Sequence, residues 1–396
     1  MPPVVAAALV VLFEGLVLWA AFPILSYYCA DLGGGPASVG ILFALMSGPR
    51  VLFNPIFGRL SERFGRRPLM VVASLGTMAG SITWAVSPNV GWLAVSRAIA
   101  GIFGAQAALS SAVVADVTSP ERRSSGMGLV GAAFGLSMVF GPLLGGGVTH
   151  LASHAMVGWV GAVLQGLSVA TVLFFLPETR PVGSTAGDAG SHHPALRTML
   201  TVAGVTPLLA VAFCSALAVA QVTTTFSMLA EKEYQFTEAD AGYAFALFGL
   251  VGTLVQGGVV RVLHARFGDR KLAMAGLVTV AISAAVIAPG PPRWALWLCM
   301  GLIGAGVALC TPTVAALLSG CVGPDRQGTL LGMHQGVLSL GRGASAPVAG
   351  VIFGACGPWA PYLVAAGVAL VGGGLLFSRR AGIHEGAAAE APPVGI

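Results

Sequence analysis

Of the 396 residues only 9% are charged and 56% are hydrophobic, with a mean hydropathy of +0.86, whereas a soluble domain carries about 25% charge. No water-soluble fold hides that much apolar surface, and at roughly 20 to 25 residues per bilayer crossing the chain has room for about a dozen helices. The net charge of +5 lies in short loops and offers no basic face to follow phosphates, so a nucleic-acid role is not indicated.

In chain order, apolar runs predict spans over 4–27, 37–58, 68–87, 91–114, 126–149 and 155–176, then 203–229, 239–261, 272–290, 294–319, 328–355 and 359–377. The expected class is therefore an all-α polytopic membrane protein. The first run contains Glu14 and lacks both a basic leader and a small-residue exit, so it reads as a span and not a cleaved signal peptide. The polar stretch from Pro177 to Leu200 reads as a linker. Residues 1–176 then form a first six-helix bundle, 201–378 a second, and 379–396 a disordered tail. The 56 glycines and 24 prolines fall inside apolar runs, where they serve close helix packing and kinks. Six scattered cysteines without a C-x-x-C pair signal neither a zinc site nor a disulfide framework. His150 and His154 have helical spacing but no acid between them, so no metal site is expected there.

Basic loops are retained in the cytoplasm, and with both termini inside, fifteen of the twenty Lys and Arg residues fall on that side, against Lys232 and Arg293 outside. The other three, Arg50, Arg97 and Arg342, lie within spans. A parallel duplication is visible as well. Arg63-Phe64-Gly65 recurs as Arg266-Phe267-Gly268 at an offset of 203, Pro120-Glu121-Arg122 as Pro324-Asp325-Arg326 at 204, and Pro142 with Gly145 as Pro347 with Gly350 at 205.

Each charge inside a bilayer costs several kcal/mol unless it meets a partner or a cavity. Glu14 is the only carboxylate near mid-membrane, and placing it there favours a proton-coupling or substrate role. Arg50, on the neighbouring span, is the natural partner of a structural ion pair. Gln106, Gln221, Gln256, Asn54 and His334 are further polar groups that could face a cavity, and Trp84, Trp92, Trp159, Trp294, Trp297 and Trp359 read as an interfacial belt.

The loop Gly58-Arg59-Leu60-Ser61-Glu62-Arg63-Phe64-Gly65-Arg66-Arg67 resembles the G-x-L-x-D-R-x-G-R-R signature of the major facilitator superfamily, with Glu62 in place of the usual Asp. That resemblance implies twelve helices in two six-helix bundles and a cytoplasmic latch in which Gly58 permits close approach and the acid pairs with arginines. Asp116 is placed to join it with Arg63 or Arg67. Arg97-Ala98-Ile99-Ala100-Gly101 is similar to the family's R-x-x-x-G element, whose arginine is associated with proton coupling. Gly131 to Gly146, with Gly141-Pro142 and Gly145-Gly146, looks like the helix-packing element of the drug:proton antiporter branch. Phe13-Glu14-Gly15 followed by Pro23 resembles the first span of tetracycline exporters, but two acidic positions of those exporters are here Gly80 and Val280.

No H-E-x-x-H, phosphate loop or paired catalytic carboxylates are present, so neither an enzyme nor ATP-driven transport is expected, and no cofactor is implied. The expectation is a monomeric bacterial inner-membrane antiporter exporting small amphiphilic substrates against protons, with lipid as its only other partner. A metabolite or organic-anion uniporter or importer on the same fold, or a transport-dead sensor, remains open. With three arginines against one carboxylate inside the bilayer, anionic or zwitterionic amphiphiles are expected to be accepted at least as well as cations, with Arg50 and Arg342 as contacts.

Overall fold

A computed structural model describes residues 1–179 and 199–378; the interior of the predicted linker, the tail and Arg180, Arg197, Arg379 and Arg380 lie outside the described residues. The helices are α1 (Pro3–Asp31), α2 (Pro36–Phe64), α3 (Arg66–Ala85), α4 (Val90–Phe103, resuming as Gln106–Val117), α5 (Pro120–Leu151) and α6 (His154–Phe175). They are followed by α7 (Val205–Tyr234), α8 (Glu238–Leu254, a π-helical turn Val255–Val259, then Val260–Phe267), α9 (Asp269–Ile287), α10 (Arg293–Ser319), α11 (Pro324–Cys356) and α12 (Ala360–Ser378). Twelve segments among the described residues are long and apolar enough to cross a membrane. Several run past the predicted spans because polar ends continue as helix outside the hydrocarbon. Local caps fix these ends: Asn89 accepts the Trp92 N–H for α4, and Thr237 and Asp240 form a reciprocal capping box at α8.

The duplicated Arg-Phe-Gly triplet becomes a duplicated turn. Gly65 (φ 96°) and Gly268 (φ 76°) each close a sharp α2–α3 or α8–α9 corner in the left-handed region that a side chain avoids. Beyond each corner an arginine reaches the end of the sixth helix of its half: Arg67 Nη2 donates to the Leu173 carbonyl, and Arg270 Nη2 to that of Leu376.

Packing defines which end of the molecule is shut. The face bearing the Gly65 and Gly268 corners is called the basic face here, and the other the opposite face. Toward the opposite face one continuous apolar core joins both bundles, from Ile24, Leu25, Leu42 and Phe43 to Phe226, Phe245, Leu296 and Ile303. Toward the basic face that core divides in two, one around Val10, Met70, Leu109 and Val113 and one around Leu208, Leu209, Leu318 and Leu330. Two seams join the bundles, α2 with α11 and α5 with α8. Apolar lipid gives helices no hydrophobic reason to associate, so close backbone contact through small residues supplies the attraction. Gly40 lies on the Ala346–Pro347 backbone, Gly350 on that of Pro36, Gly48 beside Gly343, and Gly249 against Met138. Past Leu254, by contrast, no residue of the π turn or of Val260–Phe267 is buried. The opposite face is closed and the basic face stands open.

Candidate functional site

Glu14, Arg50 and Arg342 all sit near the middle of their helices. Glu14 is eleven residues from the start of α1, and Arg50 lies at the centre of α2, fourteen residues from either end. Glu14 is 6% exposed, and its Oε1 accepts from Arg50 Nη2 at 3.2 Å. The ion pair weighed from the sequence is thus present. Its surroundings explain why the arginine stays there: α4 breaks at Gly104, where a Cβ would lie only 2.6 Å from the Arg50 guanidinium carbon. The missing side chain and the broken helix make room for the cation. Further along, Gly101 lets α4 rest on the Leu45 and Met46 carbonyls of α2.

Arg97, 5% exposed, stacks over the Trp84 ring at 4.4 Å and donates to Ser96 Oγ at 2.9 Å, while its Nε has no partner. Trp84 is 2% exposed, so it belongs to the interior and not to an interfacial belt. Its indole Nε1 donates to the His154 carbonyl at 2.9 Å. Trp92, Trp159 and Trp294 do lie exposed, whereas Trp297 and Trp359 pack on the core. Arg342 is exposed within α11, and its Nη2 approaches Ser339 Oγ at 3.5 Å. Arg50 is paired with Glu14, while Arg97 and Arg342 have no carboxylate partner among the described residues, which leaves these spans a positive region with a single paired acid. Gln106, Gln221 and His334 are at most 1% exposed; Gln256 is exposed and Asn54 half-buried. The Gln106 side chain donates to Thr77 Oγ1 at 2.9 Å, and that of Gln221 to Ser345 Oγ at 3.1 Å. Gly80 and Val280, where the exporters carry acids, fill close α3–α4 and α9–α10 contacts.

At the basic face the loop arginines are engaged differently from the expectation. Asp116 pairs with Arg66 (Nε to Oδ2, 2.9 Å), and not with Arg63 or Arg67. Arg66 also donates to Ser61 Oγ at 2.6 Å, and Glu178 accepts the backbone N–H groups of Arg66 (2.8 Å) and Arg67 (3.2 Å). The Glu178 carboxylate occupies the space a side chain at Gly65 would need. Among the described residues Glu62 is exposed with no ion pair, Arg63 lies over the neighbouring Phe64 ring, and Gly58 meets no atom within 4 Å of a would-be Cβ. Glu178 was missed because a single acid following a proline after a span carries no periodic signal.

The helix-packing element divides between two neighbours. Gly141 and Gly145 press on α1 at Trp19 and Ala20, while Gly146 meets the Glu238–Ala239 backbone of α8 and the Pro142 carbonyl faces Gly242. Gly131 does not take part, since a Cβ there would meet open space.

Twelve apolar helices in two six-helix bundles around a buried ion pair, packed tightly at one face and loosely at the other, define a polytopic integral membrane protein. The family model of the Major Facilitator Superfamily matches residues 7–264 and 259–393. The chain belongs to this superfamily of transporters. It is 31% identical over 306 residues to the class C tetracycline resistance protein of Escherichia coli, covering 76% of each chain. It is 27% identical over 384 residues to the human major facilitator superfamily domain-containing protein 10, covering 91% of this chain and 82% of that one. Among solved structures, that of the human organic anion transporter MFSD10 superposes with a TM-score of 0.69 at 24% identity, covering 94% and 98% of the two chains. A peptide-bound transporter of the POT family superposes at 0.80 with 12% identity over 95% of each.

Proposed function

We propose that this protein is a proton-coupled antiporter that expels amphiphilic small molecules by rocking its two bundles about the midplane, with the basic face toward the cytoplasm. The observation that carries this reading is the Glu14–Arg50 pair at the centre of α1 and α2, beside the break in α4. A carboxylate held by a cation in low dielectric exchanges that partner for a proton when either moves. Exchange needs proton and substrate to exclude one another: the substrate binds while Glu14 is ionised and paired with Arg50, and protonating Glu14 breaks the pair, rearranges the site and releases the substrate. The similarity to tetracycline resistance proteins supports export. Purified protein in proteoliposomes with an imposed pH gradient tests the reading: substrate addition should move protons, and Glu14→Gln should lose at least about 90% of gradient-driven accumulation. Accumulation by Glu14→Gln at the unmodified rate would refute it.

A second feature bears on substrate charge. Arg342 is exposed at mid-helix with no acid paired to it among the described residues, and the human organic anion transporter MFSD10 is among the structures this chain resembles. Anionic or zwitterionic amphiphiles therefore fit the positive region better than cations do. Matched anionic and cationic competitors decide the matter: anions should compete, and Arg342→Ala should weaken them about tenfold, the scale of one charge-assisted contact. Competition by cations alone would overturn this assignment.

A further inference from the structure

The opposite face is held shut by polar contacts as well as by its core. Tyr27, near the end of α1, donates its hydroxyl to the carbonyl of Phe236 at 3.1 Å across the bundle boundary. Beside it His154, the first residue of α6, lies between two carboxylates. Its Nδ1 is 2.6 Å from Asp31 Oδ2 on its own bundle, and its Nε2 is 3.3 Å from Glu238 Oε1 at the start of α8 on the other. The second contact has ion-pair distance without hydrogen-bond alignment. The ring is fixed by a stack on Tyr28, with centroids 5.6 Å apart, and by the Trp84 indole on its carbonyl. Its side chain is 13% exposed.

The other groups around it reinforce one sign. Glu231, from the end of α7, interacts electrostatically with His154, Asp31 and Glu238. Tyr28 is neutral, its hydroxyl donating to the Trp84 and Ser87 carbonyls. Asp240 is already matched by Arg293 at 2.8 Å. From α5, Gly146 meets the Glu238 backbone, and His150 is exposed. A neutral imidazole has one N–H and one lone pair, so it would turn the lone pair toward one of the two carboxylates; only the imidazolium suits both. Imidazole changes charge between pH 5 and 8, within the range a membrane face experiences.

We propose that His154 is a proton-binding site of the opposite face, distinct from the midplane pair, and that its protonated form clamps α6 and α1 to α8 and so holds this face closed. The clamp rests on the alternating-access reading. When the face opens, Glu238 leaves with the second bundle and His154 keeps only Asp31. Closure sets a second carboxylate against the ring, so an imidazolium there favours the closed face and acid on this side shifts the population toward it. A proton taken from outside would shut the outer gate behind it, which is the order that proton-in, substrate-out exchange needs.

The test uses spin labels on cysteines placed at Leu151 and Trp294, exposed at the opposite-face ends of α5 and α10, in a Cys356→Ser background that removes the exposed native thiol. Distance distributions in lipid nanodiscs are recorded from pH 5 to pH 8.5. The open-face population should rise about tenfold over that range, as expected for a coupling of this class. His154→Gln and, separately, Glu238→Gln should flatten the dependence and raise the open population at low pH. Gly350→Ala, which crowds the Pro36 backbone on the closed seam, reports whether the face opens at all. A second population in Gly350→Ala, with unmodified pH dependence in both His154→Gln and Glu238→Gln, would overturn the clamp and leave alternating access standing. A single distance in every variant would overturn both.

Discussion

The closed seam between α2 and α11 makes a quantitative prediction. Gly350 rests on the backbone of Pro36, so that an added Cβ would lie 3.0 Å from the Pro36 carbonyl carbon and 3.2 Å from the Ala37 Cα, with the carbonyl oxygen nearer still. Backbone atoms at a helix start cannot rotate aside as a side chain can. One methyl forced into such a contact costs about 1 to 3 kcal/mol, and the cost falls only on the state in which this face is shut. Gly350→Ala should therefore raise the ratio of open-face to closed-face molecules by about 5-fold to 150-fold. Gly40, on the Ala346–Pro347 backbone of the same seam, should act in the same direction, and the pair should add less than fully because both relieve one contact surface. The label pair at Leu151 and Trp294 reads the change directly. An unaltered distance distribution in a variant of normal thermal stability would refute the reasoning, because it would mean that the seam accommodates the methyl without separating.

Two further consequences concern the basic face. Removing the acid in Asp116→Ala strands the Arg66 guanidinium, itself 6% exposed, and should destabilise the first bundle by about 1 to 3 kcal/mol, visible as a lower melting temperature in detergent. Stability equal to the parent would show that Ser61 and water suffice. Gly65→Ala combines a backbone at φ 96° with the Glu178 carboxylate in the path of the new methyl, a strain of about 1 to 2 kcal/mol. Gly268→Ala shares the backbone strain but meets no atom within 4 Å, so it should melt higher than Gly65→Ala. Equal losses at the two corners would refute the role given to Glu178.

Much of the architecture was legible because membrane spans are long, uniform and punctuated by charge: all twelve spans and the duplication follow from hydropathy and a few short motifs. Glu14 and Arg50 could be paired from depth alone, since two opposite charges on adjacent helices in lipid have few other partners. What escaped the sequence depends on helix rotation and on conformational state. Hydropathy does not reveal that Gln106 turns to Thr77 on a neighbouring helix, that His334 is buried, or that Trp84 lies under Arg97. Nor could it select Arg66 as the partner of Asp116, because three loop arginines stand within a few residues of one another. The clamp at His154 joins the ends of three helices far apart in sequence, and its acids look like ordinary solvated helix ends until the fold assembles them.

The two halves have diverged in one instructive respect. At the offset of 203 that relates the Gly65 and Gly268 corners, Asp116 and Glu178 correspond to Ser319 and Ala381. The arginine-to-carbonyl brace survives in both halves, whereas neither of those two carboxylates is repeated at the second corner, which has instead Asp269 at 2.8 Å from His264 Nδ1. The hairpin thus kept its shape in both copies but not the placement of its acids. The first corner's Arg66–Asp116 pair is largely buried and the second corner's His264–Asp269 contact is exposed, so salt, which screens exposed charges more than buried ones, should loosen the second corner first.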